Sequence, residues 1–330
     1  CYQQHLGLDE CNSKMKNIGG YFELELHSGE QYHKDALCLN SARSCLEYVL
    51  RVRNYHTVYI PYYTCEIVLQ PFQLLHVNYV FYNINEQLEP VNLPELKEDE
   101  AFLYTNYFGL KQSCVERLAK HYGTRLIVDN AQAFFAPALY GIDTFYSPRK
   151  FFGVPDGGYL YCSVSLNMEI PQAVSHDRMT HLLKRIDLDA QAGYDNFKQN
   201  DELLSEQPLL RMSNLTGKLL ESIDYQPITT KRHDNYQLLD NSLGSCNQLR
   251  LDLSEHAVPM VYPFLTDNAD LKKKLIENKI FVATYWPNVM EWCKEDDWEF
   301  HLAHQTCFLP IDQRYGKDDM GRIIDIVLGK

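Results

Sequence analysis

The sequence lacks three features that would place it outside the ordinary globular proteins. It has no run of about 18 apolar residues, as a membrane-spanning helix requires, and no internal repeat. Its ten cysteines form no CxxC pair, and 330 residues bury enough core without disulfides. Basic residues are also scarce, with 31 against 44 acidic ones and a net charge of −13. We therefore expect a cytoplasmic protein with reduced thiols and with no metal site, membrane span or nucleic-acid partner.

The first residues also lack the pattern of a signal peptide. The segment CYQQHLGLDECNSK has no basic stretch followed by an apolar one. A more typical start, MKNIGGYFELEL, begins at Met15. We expect residues 1–14 to be an extension that packs poorly on the rest of the chain.

What the sequence does contain, from residue 36 onward, is an alternation of short β-rich runs with segments of helical period. ARSCLEYVLRVR (42–53) has helical spacing, whereas TVYIP (57–61), AFLYTNYF (101–108) and RLIVDN (125–130) have the composition of buried strands. This alternation predicts an α/β fold whose mostly parallel sheet is flanked by helices on both faces. Ligands of such sheets bind at the carboxyl ends of the strands.

The last third of the sequence also alternates strand-like and helix-like segments, but has fewer of them. QPITTKRHDNYQLLDNSL (226–243) leads into a segment with its own strand-like and helix-like runs. We expect a large domain over residues 15–225 and a small C-terminal α/β domain over residues 226–330.

An acid and a lysine stand at the ends of successive predicted strands. Asp129 ends one apolar run and is followed by Gln132, while the next run leads to Lys150 and then to the pair Gly157–Gly158. Taken singly, such a lysine is usually a solvated surface residue and such an acid a loop residue or helix cap. Together they suit pyridoxal phosphate (PLP), whose aldehyde forms a Schiff base with a lysine and whose ring nitrogen pairs with an acid.

These motifs resemble those of the DegT/StrS family of PLP-dependent sugar aminotransferases, which have fold type I. The family pattern is an acid-x-Ala-Gln/His-Ala segment, a lysine, and a Gly-Gly pair seven residues after the lysine. VDNAQA and FYSPRKFFGVPDGGYL match it. LNSARSCLEYVL, IPYYTCEIVL and CFLPIDQRYGKDDMGRI are similar to the family's phosphate-loop helix, Pro-x-x-Thr segment and C-terminal Leu-Pro segment. The resemblance covers roughly residues 18–330.

The resemblance also implies roles for individual residues. Lys150 would bind PLP as a Schiff base and then carry a proton between substrate and cofactor. Asp129 would pair with the ring nitrogen, and Gln132 would lie beside the ring. The other implied cofactor contacts are the backbone amides of Ala42 and Arg43 and the hydroxyl of Ser147 for the phosphate, with Tyr63 or Tyr62 as an aromatic neighbour of the ring.

Several positions depart from the family pattern. Phe145 stands where a phosphate-binding serine is usual, Cys65 where an aromatic residue stacks on the ring, and Leu209 where an asparagine reaches across the dimer. Two assignments remain open. Arg149 either binds a phosphate or carboxylate or forms a structural salt bridge, and Ser147 before a proline is also an ordinary turn residue.

The function that the resemblance implies is amino transfer, from L-glutamate to the keto group of a nucleotide-activated deoxysugar. The family also implies a homodimer with its active sites at the subunit interface. Two alternatives remain. One is a PLP enzyme of another reaction type, and the other is a regulator or scaffold that binds PLP without catalysis.

Overall fold

The structure, a computed structural model, describes residues 18–330. The expected extension at residues 1–14 lies outside the described residues. Within this range the strands are β1 (Leu37–Leu39), β2 (Thr57–Pro61), β3 (Asn78–Tyr82), β4 (Glu100–Thr105), β5 (Leu126–Asn130), β6 (Asp143–Tyr146), β7 (Gly158–Tyr161), β8 (Val261–Leu265) and β9 (Thr306–Pro310).

The α-helices of the same range are α1 (Ala42–Arg53), α2 (Leu69–Leu75), α3 (Gln112–Tyr122), α4 (Thr180–Asp187), α5 (Tyr194–Glu206), α6 (Asn214–Glu221), α7 (Tyr225–Leu243), α8 (Leu271–Glu277), α9 (Val289–Trp292), α10 (Trp298–Gln305) and α11 (Lys317–Leu328). From residue 18 to residue 330, no helix combines the length and the apolar character needed to cross a membrane.

Seven strands form the main sheet in the order β1-β7-β6-β5-β4-β2-β3. The pairs from β3 through β6 are parallel, whereas β7 runs antiparallel to both of its neighbours, β6 and β1. The predicted mostly parallel sheet is therefore confirmed. Strand β1 was not predicted, because three residues are too few to show a period.

The sheet is buried on both faces, which is why its strands read as continuous apolar runs. In β4, Ala101 and Leu103 belong to a hydrophobic cluster shared with α1 and α2. Phe102 and Tyr104, which alternate with them, belong to a second cluster on the opposite face that includes residues of α3. This two-sided cover is the layered α/β architecture expected from the sequence.

A smaller sheet follows in the C-terminal part, where β8 and β9 pair antiparallel. The long helix α7 leads into it and packs against α11. The expected second, smaller α/β unit is therefore present. Its boundary at residue 226 stays a prediction, although α7 begins one residue earlier, at Tyr225.

The start of α1 is fixed against β7 by the Gly-Gly pair. Gly157 has a φ of +122°, which strongly favours glycine, and its N–H donates to the carbonyl of Asn40 at 2.7 Å. A Cβ on Gly158 would lie 2.4 Å from the carbonyl oxygen of Ser41 and 2.8 Å from the amide nitrogen of Ala42. The two glycines therefore let the N-terminus of α1 rest directly on the strand that follows Lys150.

Replacing Gly158 by alanine tests this contact. Because the new methyl group meets backbone atoms that cannot rotate away, we expect a loss of about 2 kcal/mol, or roughly 4–8 °C in the midpoint of thermal unfolding. Gly321→Ala in α11 is the matched control, since a Cβ at that position would meet no atom within 4 Å apart from the nearby backbone of its own helix, and alanine favours the helix. Equal midpoints for the two variants would contradict the proposed contact.

Candidate active site

The carboxyl ends of β4, β5 and β6 open into a cavity of 370 Å³, within the size range of small-molecule sites. The cavity brings together six of the seven residues assigned from the sequence, namely Ala42, Arg43, Asp129, Gln132, Ser147 and Lys150. Residues far apart in the sequence thus converge on one space at the sheet edge where ligands of α/β proteins bind.

Asp129 lies near the end of the central strand β5, between Thr105 of β4 and Phe145 of β6 in the sheet register. Its carboxyl group is buried, and Oδ1 accepts a hydrogen bond from the N–H of Ala131 at 2.8 Å. Burial raises its pKa, against the opposing effects of the Lys150 charge and the Ala131 N–H. Oδ2 accepts no hydrogen bond from residues 18–330, so one oxygen is available to a ligand.

Lys150 reaches the cavity from a short turn, Pro148–Lys150, that follows β6. Its side chain is exposed, and its charge is close enough to lower the pKa of Asp129. Ser147 precedes this turn and lines the same cavity, with a hydroxyl that makes no hydrogen bond to the described part of the chain. The structure therefore holds the amine, the acid and a free hydroxyl around one space.

The N-terminus of α1 forms another wall of the cavity. Ser41 caps the helix by accepting a hydrogen bond from the N–H of Ser44 at 3.0 Å, and Ser41, Ala42 and Arg43 line the cavity. A helix N-terminus attracts anions through its free N–H groups and its dipole. The Arg43 guanidinium donates to the carbonyls of Leu204 and Gln207 instead, so this residue offers the cavity its backbone rather than its charge.

Two buried side chains on the cavity wall have polar atoms without a partner among residues 18–330. Gln132 is 1% exposed, and its Oε1 accepts a hydrogen bond from the Phe108 N–H at 3.2 Å, but its Nε2 has no partner within the described chain. Thr105 is also 1% exposed, and its hydroxyl has no hydrogen-bond partner within the described chain. Because buried polar groups are normally paired, these two are suited to bind a polar ligand.

Helix α5 covers the cavity through Asp201, Leu204 and Ser205. Asp201 forms a salt bridge with Arg149 at 2.5 Å. Of the two alternatives for Arg149, the structure shows the salt bridge, although the Arg149 Nε remains unpaired among the described residues. The sequence places helices over this side but does not identify which α5 residues reach the site, because α5 is polar and only weakly periodic.

Like its alternative Tyr62, the assigned Tyr63 does not line the cavity. It is fully buried, and its ring packs edge-on against Trp286 at 4.6 Å between ring centroids. Of these two rings, that of Trp286, from the loop before α9, reaches the cavity. No spacing in the sequence connects Trp286 with the Lys150 motif, so sequence reasoning had no signal to find it.

Comparisons with known proteins add the context of the fold. No protein-family model matches the sequence, and no curated protein matches it either. Similar solved structures include a DegT/DnrJ/EryC1/StrS aminotransferase from Brucella abortus, with a TM-score of 0.60 at 15% identity, covering 89% of this chain and 85% of that one.

Two further solved structures are similar. The sugar aminotransferase CalS13 from Micromonospora echinospora has a TM-score of 0.56 at 13% identity, covering 90% of this chain and 87% of that one. The ntda protein from Bacillus subtilis was solved with bound cofactor PMP. Its TM-score is 0.62 at 15% identity, and the match covers 89% of this chain and 72% of that one. The chain therefore has the fold of these aminotransferases, as the family resemblance implied.

The buried carboxylate of Asp129 should reduce the stability of the ligand-free protein in a pH-dependent way. Burial raises the folded-state pKa above the ordinary value of 3.8. Between these two pKa values the native state binds more protons than the unfolded state, so stability falls as the pH rises through this window. The loss is complete above the folded-state pKa.

We therefore expect Asp129→Asn to raise the thermal midpoint of the cofactor-free protein at neutral pH by about 2–4 °C. The gain should shrink as the pH is lowered toward 3.8, because the raised pKa of Asp129 leaves the wild-type carboxyl increasingly protonated in the folded state. Thermal unfolding followed by circular dichroism over a pH series measures it. A gain that is independent of pH, or no gain at neutral pH, would contradict the assigned burial effect.

Proposed function

We propose that this protein is a PLP-dependent aminotransferase. The observation that carries the proposal is the convergence of Asp129, Lys150 and the N-terminus of α1 on one cavity, in the fold of solved sugar aminotransferases. One protein of this fold holds the cofactor PMP, the amino form of PLP. The cavity offers an amine, an acid and an anion-binding helix end, which match the aldehyde, the ring nitrogen and the phosphate of PLP.

The residues of the cavity fit such a ligand on structural grounds. Asp129 has a carboxylate oxygen that no described residue occupies, and a cationic ring nitrogen beside it would offset the unfavourable effect of burial. Gln132 and Thr105 have buried polar atoms without partners among the described residues. The Ser147 hydroxyl lies beside the turn that carries Lys150, and would supplement the helix N–H groups as a phosphate ligand.

Each residue then has a defined task in amino transfer. PLP, when bound, supplies a ring that stabilises negative charge at the substrate carbon. Lys150 would hold the aldehyde covalently, and its Nζ, when free, would be the group that moves a proton to or from the substrate carbon. Asp129 would hold the ring nitrogen in its protonated form, and Gln132 would orient the ring from its buried position.

A second cleft supports a phosphorylated acceptor substrate. It has a volume of 990 Å³ and shares α5 with the cavity, since Tyr194 and Phe197 line the cleft while Asp201 lines the cavity. The basic residues that line this cleft are Arg185, Lys272, Lys279, Arg314 and Arg322.

The basic residues of this cleft outnumber the acidic ones, since Asp319 is the one acid among the described residues that line it. Arg314 pairs with Asp312, but the other four basic residues form no salt bridge within residues 18–330. Lys272 is partly buried, which lowers its pKa and makes an anionic partner more favourable. In a chain of net charge −13, such a positive cleft fits the diphosphate of a nucleotide-activated keto sugar, with L-glutamate as the amino donor.

We also propose a homodimer. Helices α4 and α5 and their connection expose several large apolar side chains, including Leu183 (53%), Ile186 (81%), Leu188 (66%) and Leu203 (44%). Apolar surface of this extent favours a protein interface. Since α5 also lines the cavity, a partner on this surface would lie next to the active site.

Absorption spectroscopy and product assays test the activity. Wild type incubated with PLP should develop a visible band, which L-glutamate should abolish while 2-oxoglutarate is released. Lys150→Ala should show neither effect and lose at least about 10³-fold in rate, because the nucleophile and proton carrier are both removed. Lys97→Ala, at an exposed lysine remote from the cavity, is the control and should behave as wild type.

Other outcomes of this experiment identify the alternatives. A visible band that no amino donor changes would favour a PLP-binding protein without catalysis, and the absence of a band would favour a scaffold. Wild-type activity in Lys150→Ala would contradict the assignment of the lysine.

Variants of two neighbouring lysines of α8 test whether the cleft binds the acceptor substrate. Lys272 lines the cleft, whereas Lys273 is 76% exposed and does not. We expect Lys272→Met to raise the KM for a nucleotide-activated keto sugar about tenfold, the effect of losing one charge-assisted contact, with little change in kcat. Lys273→Met should leave KM within about twofold of wild type, as expected for a surface charge. Equal KM values for the two variants would exclude the cleft as the acceptor site.

A further inference from the structure

Trp286 stands out among the cavity residues by its backbone. It is 7% exposed, and its φ is +59°, in the left-handed region that bulky residues rarely adopt. The following residue, Pro287, further restricts the backbone at this position. Such conformations persist only where the surroundings enforce them, and they are concentrated at ligand sites. The strain at Trp286 therefore calls for a functional explanation.

Contacts with the loop after β2 hold the indole in place. The ring packs edge-on against Tyr63 at 4.6 Å and lies 6.1 Å from Tyr107, measured between ring centroids. Asn288 donates from Nδ2 to the carbonyl of Thr64 at 2.9 Å, which ties the Trp286 segment to the loop that carries Thr64 and Cys65. Both Thr64 and Cys65 line the cavity. The hydrogen bond from Asn288 therefore holds this C-terminal segment next to the cavity wall.

The cavity has aromatic side chains on two different elements. Phe145 belongs to the sheet, lies between Asp129 and Leu160 in register, and packs in the cluster shared with α1. Trp286 comes from outside the main sheet. The indole therefore provides an aromatic wall that the sheet itself does not provide, whereas the neighbouring Cys65 offers only a small side chain.

We propose that Trp286 is a positioning residue that packs against the ring of the bound cofactor and holds it in place for Lys150 and Asp129. This inference rests on the proposed function, because it assumes that PLP is the ligand. Aromatic packing explains why a large ring is held in a strained backbone at the cavity wall. It also assigns Tyr63 an indirect role, as the residue that supports the indole rather than one that touches the cofactor.

Binding of PLP to the cofactor-free full-length protein gives the first test. Trp286→Leu, which removes the ring but keeps an apolar side chain, should weaken binding about fivefold, and Trp286→Phe, which restores a ring, should stay within about twofold of wild type. Trp292→Phe is the control, since Trp292 packs on Phe81 at the far edge of the sheet. Equal affinities of Trp286→Leu and wild type would overturn the inference.

Tryptophan fluorescence gives a second readout that does not depend on the stability of the leucine variant. The three tryptophans of the chain are Trp286, Trp292 and Trp298. In proteins that retain only one of them, through phenylalanine at the other two positions, saturating PLP should quench Trp286 much more strongly than Trp298. Equal quenching, or stronger quenching of Trp298, would show that Trp286 does not contact the cofactor.

The two tests separate this inference from the proposed function. If wild type binds PLP and Trp286→Leu binds it equally well, only the role of Trp286 fails. If wild type itself does not bind PLP, the proposed function fails and the inference falls with it.

Discussion

The contact between the start of α1 and the pair Gly157–Gly158 is the constraint on which the site depends. Backbone meets backbone there, with a 2.7 Å hydrogen bond from Gly157 to Asn40 and no space for a Cβ on Gly158. This contact places a helix N-terminus beside the turn that carries Lys150, although the two are more than 100 residues apart in the sequence. The Gly-Gly pair is thus a structural requirement for placing the N-terminus of α1 at the cavity.

The cavity also concentrates groups that are unfavourable in the ligand-free chain. Burial raises the pKa of Asp129, the Gln132 and Thr105 side chains have polar atoms without partners among the described residues, and Trp286 has a strained backbone. Each reduces the stability of the free protein, and the contacts of a suitable ligand would offset that cost. Because such ligands stabilise the state that binds them, these features together support a cofactor site more strongly than any one of them does.

Much of the fold could be predicted from the sequence where a pattern was long enough to read. The residues of α1 show the helical period over their whole length, and the predicted bounds 42–53 are those observed. The uninterrupted apolar run before Asp129 predicts that this residue lies at a strand end, the next short run predicts that Lys150 lies just beyond a strand, and the structure brings both to one cavity. Strand β1, with three residues, carried no readable period. Trp286, Thr105 and the cavity residues of α5 could not be predicted because their position depends on packing between distant segments. For the same reason, only the structure shows that the cavity is lined by Trp286, which packs on Tyr63, and not by Tyr63 itself.

The central claim is that Lys150 is the residue that binds PLP. Borohydride reduction of the PLP-treated protein, followed by proteolysis and peptide mass spectrometry, tests it directly. We expect a pyridoxyl group on the peptide that contains Lys150, at one group per chain, and a strong reduction of this modification in Asp129→Asn. Stable modification of another lysine, with Lys150 unmodified, would contradict the claim.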